Sequence, residues 1–134
     1  MYPSRPIISG IGNATEKISH FVDEHIKPFV SSIPSYIRDI TDFISQIENI
    51  TDLPDKFYLV TLDVTSLYTN IPYNHEGILA VARCLTNNKP DYSTGYSSIL
   101  ELLKLVLHSN NFEFNGNHYL QIGGTAMGTR VAPS

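Results

Sequence analysis

The amino-acid sequence predicts an α+β fold, and three patterns support that prediction. Apolar residues recur at helical spacing in four segments, residues 18–30, 37–47, 78–85 and 99–107. Residues 57–62 form a short, nearly continuous apolar and β-prone run, and two alternating segments flank an Asn-Gly pair at 115–116. The length of 134 residues suits about one domain. We therefore expect a single domain, residues 1–134, in which helices accompany an antiparallel sheet.

Two helices are predicted in the first 56 residues. Asn13 can cap the first helix, with Glu16 placed for the reciprocal hydrogen bond, and Pro28 is expected to kink or end it. Ser35 can cap the second helix, and Pro54 closes that segment. One face of the second helix carries the isoleucines at positions 37, 40, 44 and 47. We interpret both helices as packing elements with one buried face and no catalytic grouping.

Asp63 is the first residue whose position suggests chemistry. It directly follows residues 57–62, which have the pattern of a strand covered on both faces. A carboxylate at the end of a buried strand needs a partner, because an isolated buried charge is unfavourable. Two interpretations are open: Asp63 caps the turn at residues 65–66, or it binds a divalent cation, which prefers carboxylate oxygen. Local sequence alone favours the cap.

Helices and a hairpin are predicted after Asp63. A short helical piece is expected to stop before Pro72, and a second helix to start at Asn74. The helix around residues 99–107 is apolar on most of its surface, so it should lie deep. Residues 111–114 and 118–121 alternate around Asn-Gly, the strongest short-range hairpin signal.

A glycine-rich segment follows the hairpin. Gly123 and Gly128 have the spacing of a phosphate-binding loop, with Thr129 at its end. The lysine of that motif is missing, and the segment follows a hairpin instead of one strand before a helix. The phosphate-loop interpretation is therefore disfavoured.

Composition excludes several classes of protein. A net charge of −4 argues against a self-sufficient basic module that binds nucleic acid by neutralising phosphates. Cys84, the single cysteine, excludes an internal disulfide framework and a cysteine-rich zinc site, and the five histidines form no ligand motif. No stretch approaches the length of about 18 apolar residues that a membrane span needs, and the N-terminal residues lack a signal-peptide pattern.

Four segments in order along the chain resemble one family. Residues 59–72 read LVTLDVTSLYTNIP, residues 112–116 read FEFNG, and residues 124–134 read GTAMGTRVAPS. Together with RPIISG at residues 5–10, they closely resemble the reverse transcriptase of Penelope-like retroelements. The resemblance implies an RNA-directed DNA polymerase with a right-hand fold. Residues 1–56 would supply the fingers side and residues 57–134 part of the palm, as one partial reverse transcriptase domain.

The resemblance also implies a metal site. Asp63 looks like the first catalytic aspartate of the palm, and the backbone carbonyl of Val64 would be a further ligand. In two-metal nucleotidyl transfer this aspartate would bind both Mg²⁺ (or Mn²⁺) ions, one activating the primer 3′-hydroxyl and one holding the nucleotide's phosphates. The metal is expected only in the complete enzyme.

Four residues match the nucleotide pocket of the family. Tyr68 would stand against the sugar of the incoming nucleotide and exclude a 2′-hydroxyl by steric conflict. Met127 and Gly128 match the motif beneath the nascent base pair, and Arg5 matches a fingers arginine that contacts the triphosphate. Without the resemblance, Tyr68 reads as a core tyrosine of a short helix and Arg5 as a solvated charge. The role of Arg130 is open.

The resemblance implies partners and a location. RNA template, DNA primer and deoxynucleoside triphosphates would be the ligands, with no membrane, and the site of action would be nuclear. The paired aspartates of the palm, the thumb and the endonuclease are missing from the sequence, so we expect that this chain alone does not polymerise. The rival hypothesis is a non-catalytic truncated or domesticated remnant that binds RNA or protein. A telomerase-like enzyme is a weaker alternative in the same reaction class.

Overall fold

A computed structural model describes residue 7 and residues 9–88 and 95–133. Its helices and two-stranded antiparallel sheet confirm the α+β class. The elements in chain order are α1 (Glu16–Val30), α2 (Ile40–Glu48), α3 (Leu67–Asn70), α4 (His75–Asn88), α5 (Tyr96–His108), β1 (Asn111–Phe114) and β2 (Asn117–Leu120).

Three helices build the core. Close contacts join α1 with α4 and α5, and α4 with α5, whereas the two strands contact each other. The buried apolar side chains of these helices are Val22, Ile26, Phe29, Ile78, Leu85, Ile99, Leu103 and Val106. The helical periodicity of the three segments is therefore confirmed. The expectation that α5 lies deep holds for one face only, because Leu105 on the other face is 47% exposed. The helices pack on one another, and the expected packing of helices on a palm sheet does not occur between these elements.

The start of α1 differs from the prediction. The helix begins at Glu16 after Thr15, and no side chain caps it. Glu16 Oε2 accepts a hydrogen bond from the backbone N–H of Gly12 at 2.8 Å, while Asn13 Nδ2 donates to the carbonyl of Asn111. The predicted reciprocal pair of Asn13 and Glu16 is thus wrong, because the turn at Gly12, with φ of +80°, presents a different N–H to the carboxylate.

The cap and the environment of α2 also differ from the prediction. Asp39 caps the helix in place of Ser35, and its carboxylate accepts a hydrogen bond from the N–H of Asp42 at 2.9 Å. No residue of α2 is buried. Its apolar face consists of Ile40, Phe43, Ile44 and Ile47, all at least 44% exposed. The prediction of a buried face is wrong because α2 contacts no other helix or strand of the described chain.

The predicted buried strand at residues 57–62 does not form. Every residue of this segment is exposed, and Tyr58, Leu59 and Leu62 are each more than 90% exposed. A strand needs a neighbouring backbone to accept and donate its hydrogen bonds. The one sheet among the described residues contains only β1 and β2, so residues 57–62 have no strand to pair with.

The predicted hairpin is confirmed, although its second strand is Asn117–Leu120 and not residues 118–121. Asn111 pairs with Leu120 and Phe114 with Asn117, which leaves Asn115 and Gly116 as a two-residue turn. Both turn residues have positive φ, 50° and 74°, as a type I′ turn requires. In the same register Phe112 lies opposite Tyr119, and their rings stack with centroids 5.3 Å apart. The hairpin therefore presents an aromatic pair beside the chain that follows β2.

Candidate functional site

An apolar cleft near the predicted site lies between α3, the hairpin and the segment after β2. Its volume is about 450 Å³, within the range of clefts that take small molecules. The main side chains around it are Tyr68, Phe112, Tyr119, Leu120, Ile122 and Met127. Tyr68 and Met127, which sequence motifs far apart in the chain assign to one pocket, thus line the same cleft.

The segment carrying Met127 is attached directly to α3. The N–H of Thr125 donates to the carbonyl of Tyr68 at 2.7 Å, and Thr125 is buried. Gly124 has φ of +69°, and a Cβ there would lie 2.4 Å from the Tyr68 carbonyl oxygen and 2.5 Å from Thr69 Cα. These distances are shorter than van der Waals contact, so only glycine allows the backbone at residue 124 to lie this close to α3. Gly124 and Thr125 hold the two sides of the cleft together.

A tight turn separates Asp63 from Tyr68. Ser66 precedes α3 in the left-handed region, with φ of 56° and ψ of 44°. Its carbonyl accepts hydrogen bonds from the backbone N–H groups of Thr69 and Asn70 at 3.1 and 3.2 Å. The helix ends at Asn70, and Ile71 is extended before Pro72, as the steric restriction before proline requires. The predicted short helix is therefore confirmed.

Gly128 lies beside the cleft but lines a different groove. This second groove has a volume of about 390 Å³ and is also lined by Lys27 and Arg130. The Gly128 carbonyl accepts a hydrogen bond from the N–H of Gly10 at 3.2 Å, and a Cβ on Gly10 would lie 2.5 Å from that carbonyl oxygen. The structure thus brings Gly128 together with the N-terminal segment. Arg5 lies outside the described residues.

Asp63 and Val64 are both exposed to solvent. Within the described chain, the Asp63 carboxylate has no hydrogen-bond or ion-pair partner, so the turn at residues 65–66 receives no cap from it. A magnesium ion takes about six oxygen ligands, several of them from carboxylates or phosphates at a two-metal centre. No group of three or more histidine, cysteine, aspartate or glutamate side chains in the described residues could hold a metal ion. Asp63 and the Val64 carbonyl alone therefore do not fit a two-metal centre.

Sequence reasoning missed two parts of the cleft. Phe112 and Tyr119 form its aromatic wall, and Gly124 and Thr125 join its two sides. The aromatic wall could have been predicted from the sequence, because a two-residue Asn-Gly turn fixes the register of the hairpin and pairs Phe112 with Tyr119. The contact of Gly124 with α3 had no signal in the sequence, since nothing in the spacing shows which backbone lies against a glycine.

Comparison of the chain with family models, with curated proteins and with solved structures finds no match. Among the helices in the described ranges, none has both the length and the apolar character needed to cross a membrane.

Proposed function

We propose that this chain is the nucleotide-binding part of an RNA-directed DNA polymerase of the Penelope-like kind. The observation that supports the proposal is the shared cleft of Tyr68 and Met127. Two separate motifs assign these residues to the incoming nucleotide, and the fold brings both to one cleft. In the complete enzyme RNA would be the template and DNA the primer, and the reaction would occur in the nucleus.

The cleft offers each part of a deoxynucleotide a suitable surface. The half-buried ring of Tyr68 limits the space beside the sugar, so a 2′-hydroxyl would meet it. The thioether of Met127 packs against apolar faces and donates no hydrogen bond. The stacked rings of Phe112 and Tyr119 provide an aromatic surface for a base. Binding in this cleft is thus based on shape and stacking.

Four further residues belong to the proposal through the family resemblance alone. Asp63 and the Val64 carbonyl would contribute ligands to Mg²⁺ or Mn²⁺ in the complete enzyme. Arg5 would contact the triphosphate, and Gly128 would let the backbone approach the substrate. The described residues do not supply the other ligands of such a metal ion.

The proposal can be tested by nucleotide binding. The chain has two methionines, Met1 and Met127, so methyl-¹³C methionine labelling gives one NMR signal in the cleft and one far from it in sequence. We expect the Met127 signal to shift on titration with millimolar dATP and to respond about tenfold more weakly to ATP, a difference of ~1.4 kcal/mol. Tyr68→Ala should equalise the two nucleotides because it removes the steric limit.

Tyr58→Ala is the matched control. Tyr58 is 94% exposed and lies outside the cleft, so its loss should leave the preference for dATP unchanged. A Met127 signal that responds to neither nucleotide would remove the support for the proposed function. Equal responses to both nucleotides in the unsubstituted chain would contradict the role of Tyr68.

A second candidate function, a non-catalytic remnant that binds RNA or protein, has its own supporting observation. The apolar face of α2 is exposed, and so is every residue of the apolar segment 57–62. Exposed apolar surface of this extent favours association. The same titration separates the candidates, because a remnant needs no preference for deoxynucleotides.

A further inference from the structure

The turn between Asp63 and Tyr68 contains a strained residue. Ser66 has φ of 56° and ψ of 44°, a left-handed conformation that residues other than glycine adopt rarely. Such a conformation persists only where the surroundings hold it in place. Ser66 is only half-buried, so close packing on all sides does not impose its conformation. Specific hydrogen bonds must therefore hold the turn.

The side chain of Asn70 supplies two of these hydrogen bonds, beside those that the backbone N–H groups of Thr69 and Asn70 donate to the Ser66 carbonyl. Its Nδ2 donates to the carbonyl of Thr65 at 3.0 Å and to the carbonyl of Ser66 at 3.3 Å. The amide thus bridges the two peptide units on either side of the strained φ angle. Thr69 Oγ1 adds a further bond to the Ser66 carbonyl at 2.9 Å. Asn70 is exposed and contributes no packing to the core, which leaves the bridge as its evident role.

The bridge has a consequence for the cleft. Tyr68 lies between Ser66 and Asn70, and its own carbonyl is held by the N–H of Thr125. If the turn at Ser66 relaxed, the helix that carries the Tyr68 ring would change its direction relative to Asp63. The position of the ring is thus fixed from one side by Thr125 and from the other by Asn70.

We propose that Asn70 is a positioning residue that holds Ser66 in the left-handed conformation and thereby sets the Tyr68 ring at the sugar of the nucleotide. The second half of this inference rests on the proposed function. Asn70 does not line the cleft, so it acts through the turn.

Asn70→Asp tests the bridge with almost no change of volume. An ionised aspartate accepts hydrogen bonds but donates none, so it cannot bridge two carbonyls. We expect Ser66 to lose the strong intraresidue Hα–HN contact of the left-handed conformation in NMR spectra. The roughly tenfold preference for dATP over ATP should shrink towards equality. Adding Ser66→Gly should restore the preference for dATP, because glycine adopts positive φ without a Cβ penalty.

Asn49→Asp is the matched control. Asn49 Nδ2 donates to the carbonyl of Ser45, four residues earlier, at 2.8 Å, so the same bond type is lost at the end of α2. This change should leave Ser66 and the nucleotide preference unaltered. A general loss of stability would appear in both variants and would not be rescued by Ser66→Gly.

The outcomes separate the inference from the proposed function. If Ser66 keeps its conformation in Asn70→Asp, the inference is overturned. It is also overturned if the turn relaxes while the preference for dATP stays the same. If the unsubstituted chain binds neither nucleotide, the proposed function fails, and the Ser66 signal alone decides whether Asn70 holds the turn. Relaxation in Asn70→Asp with rescue by Ser66→Gly would support the inference.

Discussion

Gly124→Ala should be among the most damaging small substitutions in this chain. The new Cβ would lie 2.4 Å from the Tyr68 carbonyl oxygen and 2.5 Å from Thr69 Cα, and both contacts are with backbone that cannot rotate away. Alanine must also adopt φ of +69° to keep the present path of the chain. The substitution therefore combines a steric conflict with an unfavourable backbone conformation.

The magnitude follows from these two effects. The left-handed conformation costs a residue with a Cβ about 1–2 kcal/mol. Overpacking against immobile neighbours costs typically about 1–3 kcal/mol. The expected loss for Gly124→Ala is thus about 2–5 kcal/mol out of a total stability of roughly 5–15 kcal/mol. At this chain length each kcal/mol lowers Tm by roughly 3–4 °C.

Two other glycines separate the contributions. Gly116 has φ of +74° and nothing within 4 Å of its ideal Cβ, so Gly116→Ala tests the backbone effect alone, about 1–2 kcal/mol. Gly123 has neither a positive φ nor a neighbour within 4 Å. Gly123→Ala should therefore change stability little or raise it by about 0.4–1 kcal/mol, through the unfolded state.

Urea unfolding followed by circular dichroism measures all three variants in one series. The expected order of stability is Gly123→Ala, then Gly116→Ala, then Gly124→Ala. Equal losses for Gly116→Ala and Gly124→Ala would refute the reasoning, because they would mean that residue 124 does not lie against Tyr68 and Thr69. The Met127 methyl signal should shift in Gly124→Ala alone, since only that change displaces the segment lining the cleft.

Two further predictions concern the helices. The pKa of Asp39 lies below its usual value of 3.8, first because the backbone N–H of Asp42 donates to it and second because Arg38 does. A pKa lower in the folded than in the unfolded state means that Asp39 stabilises α2 fully above pH 3.8 and progressively less as the pH falls through the folded value. The loss of helix α2 should be visible in the NMR Cα chemical shifts of its residues as the pH is lowered. In Asp39→Ala the part of this pH dependence that comes from Asp39 should be absent. In the core, Leu85→Ala should lower the free energy of unfolding by about 2–5 kcal/mol, because Leu85 is fully buried. Leu105 is 47% exposed, so Leu105→Ala should lower it much less in the same urea assay.

Local signals predicted the parts of the fold that depend on neighbours close in sequence. The Asn-Gly turn specified the hairpin because those two residues adopt positive φ readily. The periodicity of α1, α4 and α5 predicted their buried faces because these helices cover one another. The predicted caps of α1 and α2 were wrong. Several polar residues near the start of each helix could act as its cap, and the turn before the helix decides which of them does.

The candidate site was predictable in its residue types and less so in its contacts. Tyr68 and Met127 were assigned through motifs, and both lie in one cleft. The motifs also assign Gly128 to that pocket, yet it lines the neighbouring groove with Lys27 and Arg130. A motif indicates which residue types to expect in a site, whereas the path of the backbone through Gly124 decides which of them share a surface.

Residues 57–62 show what an apolar pattern does and does not specify. The pattern indicates that a surface is suited to burial, and the helices of the core bury theirs because each finds a partner within the described chain. A strand differs from a helix because its backbone hydrogen bonds must come from another segment. Pairing of residues 57–62 with any strand would move Asp63 from solvent to the edge of a sheet. The metal hypothesis for Asp63 therefore depends on that pairing, whereas the nucleotide hypothesis for Tyr68 and Met127 does not.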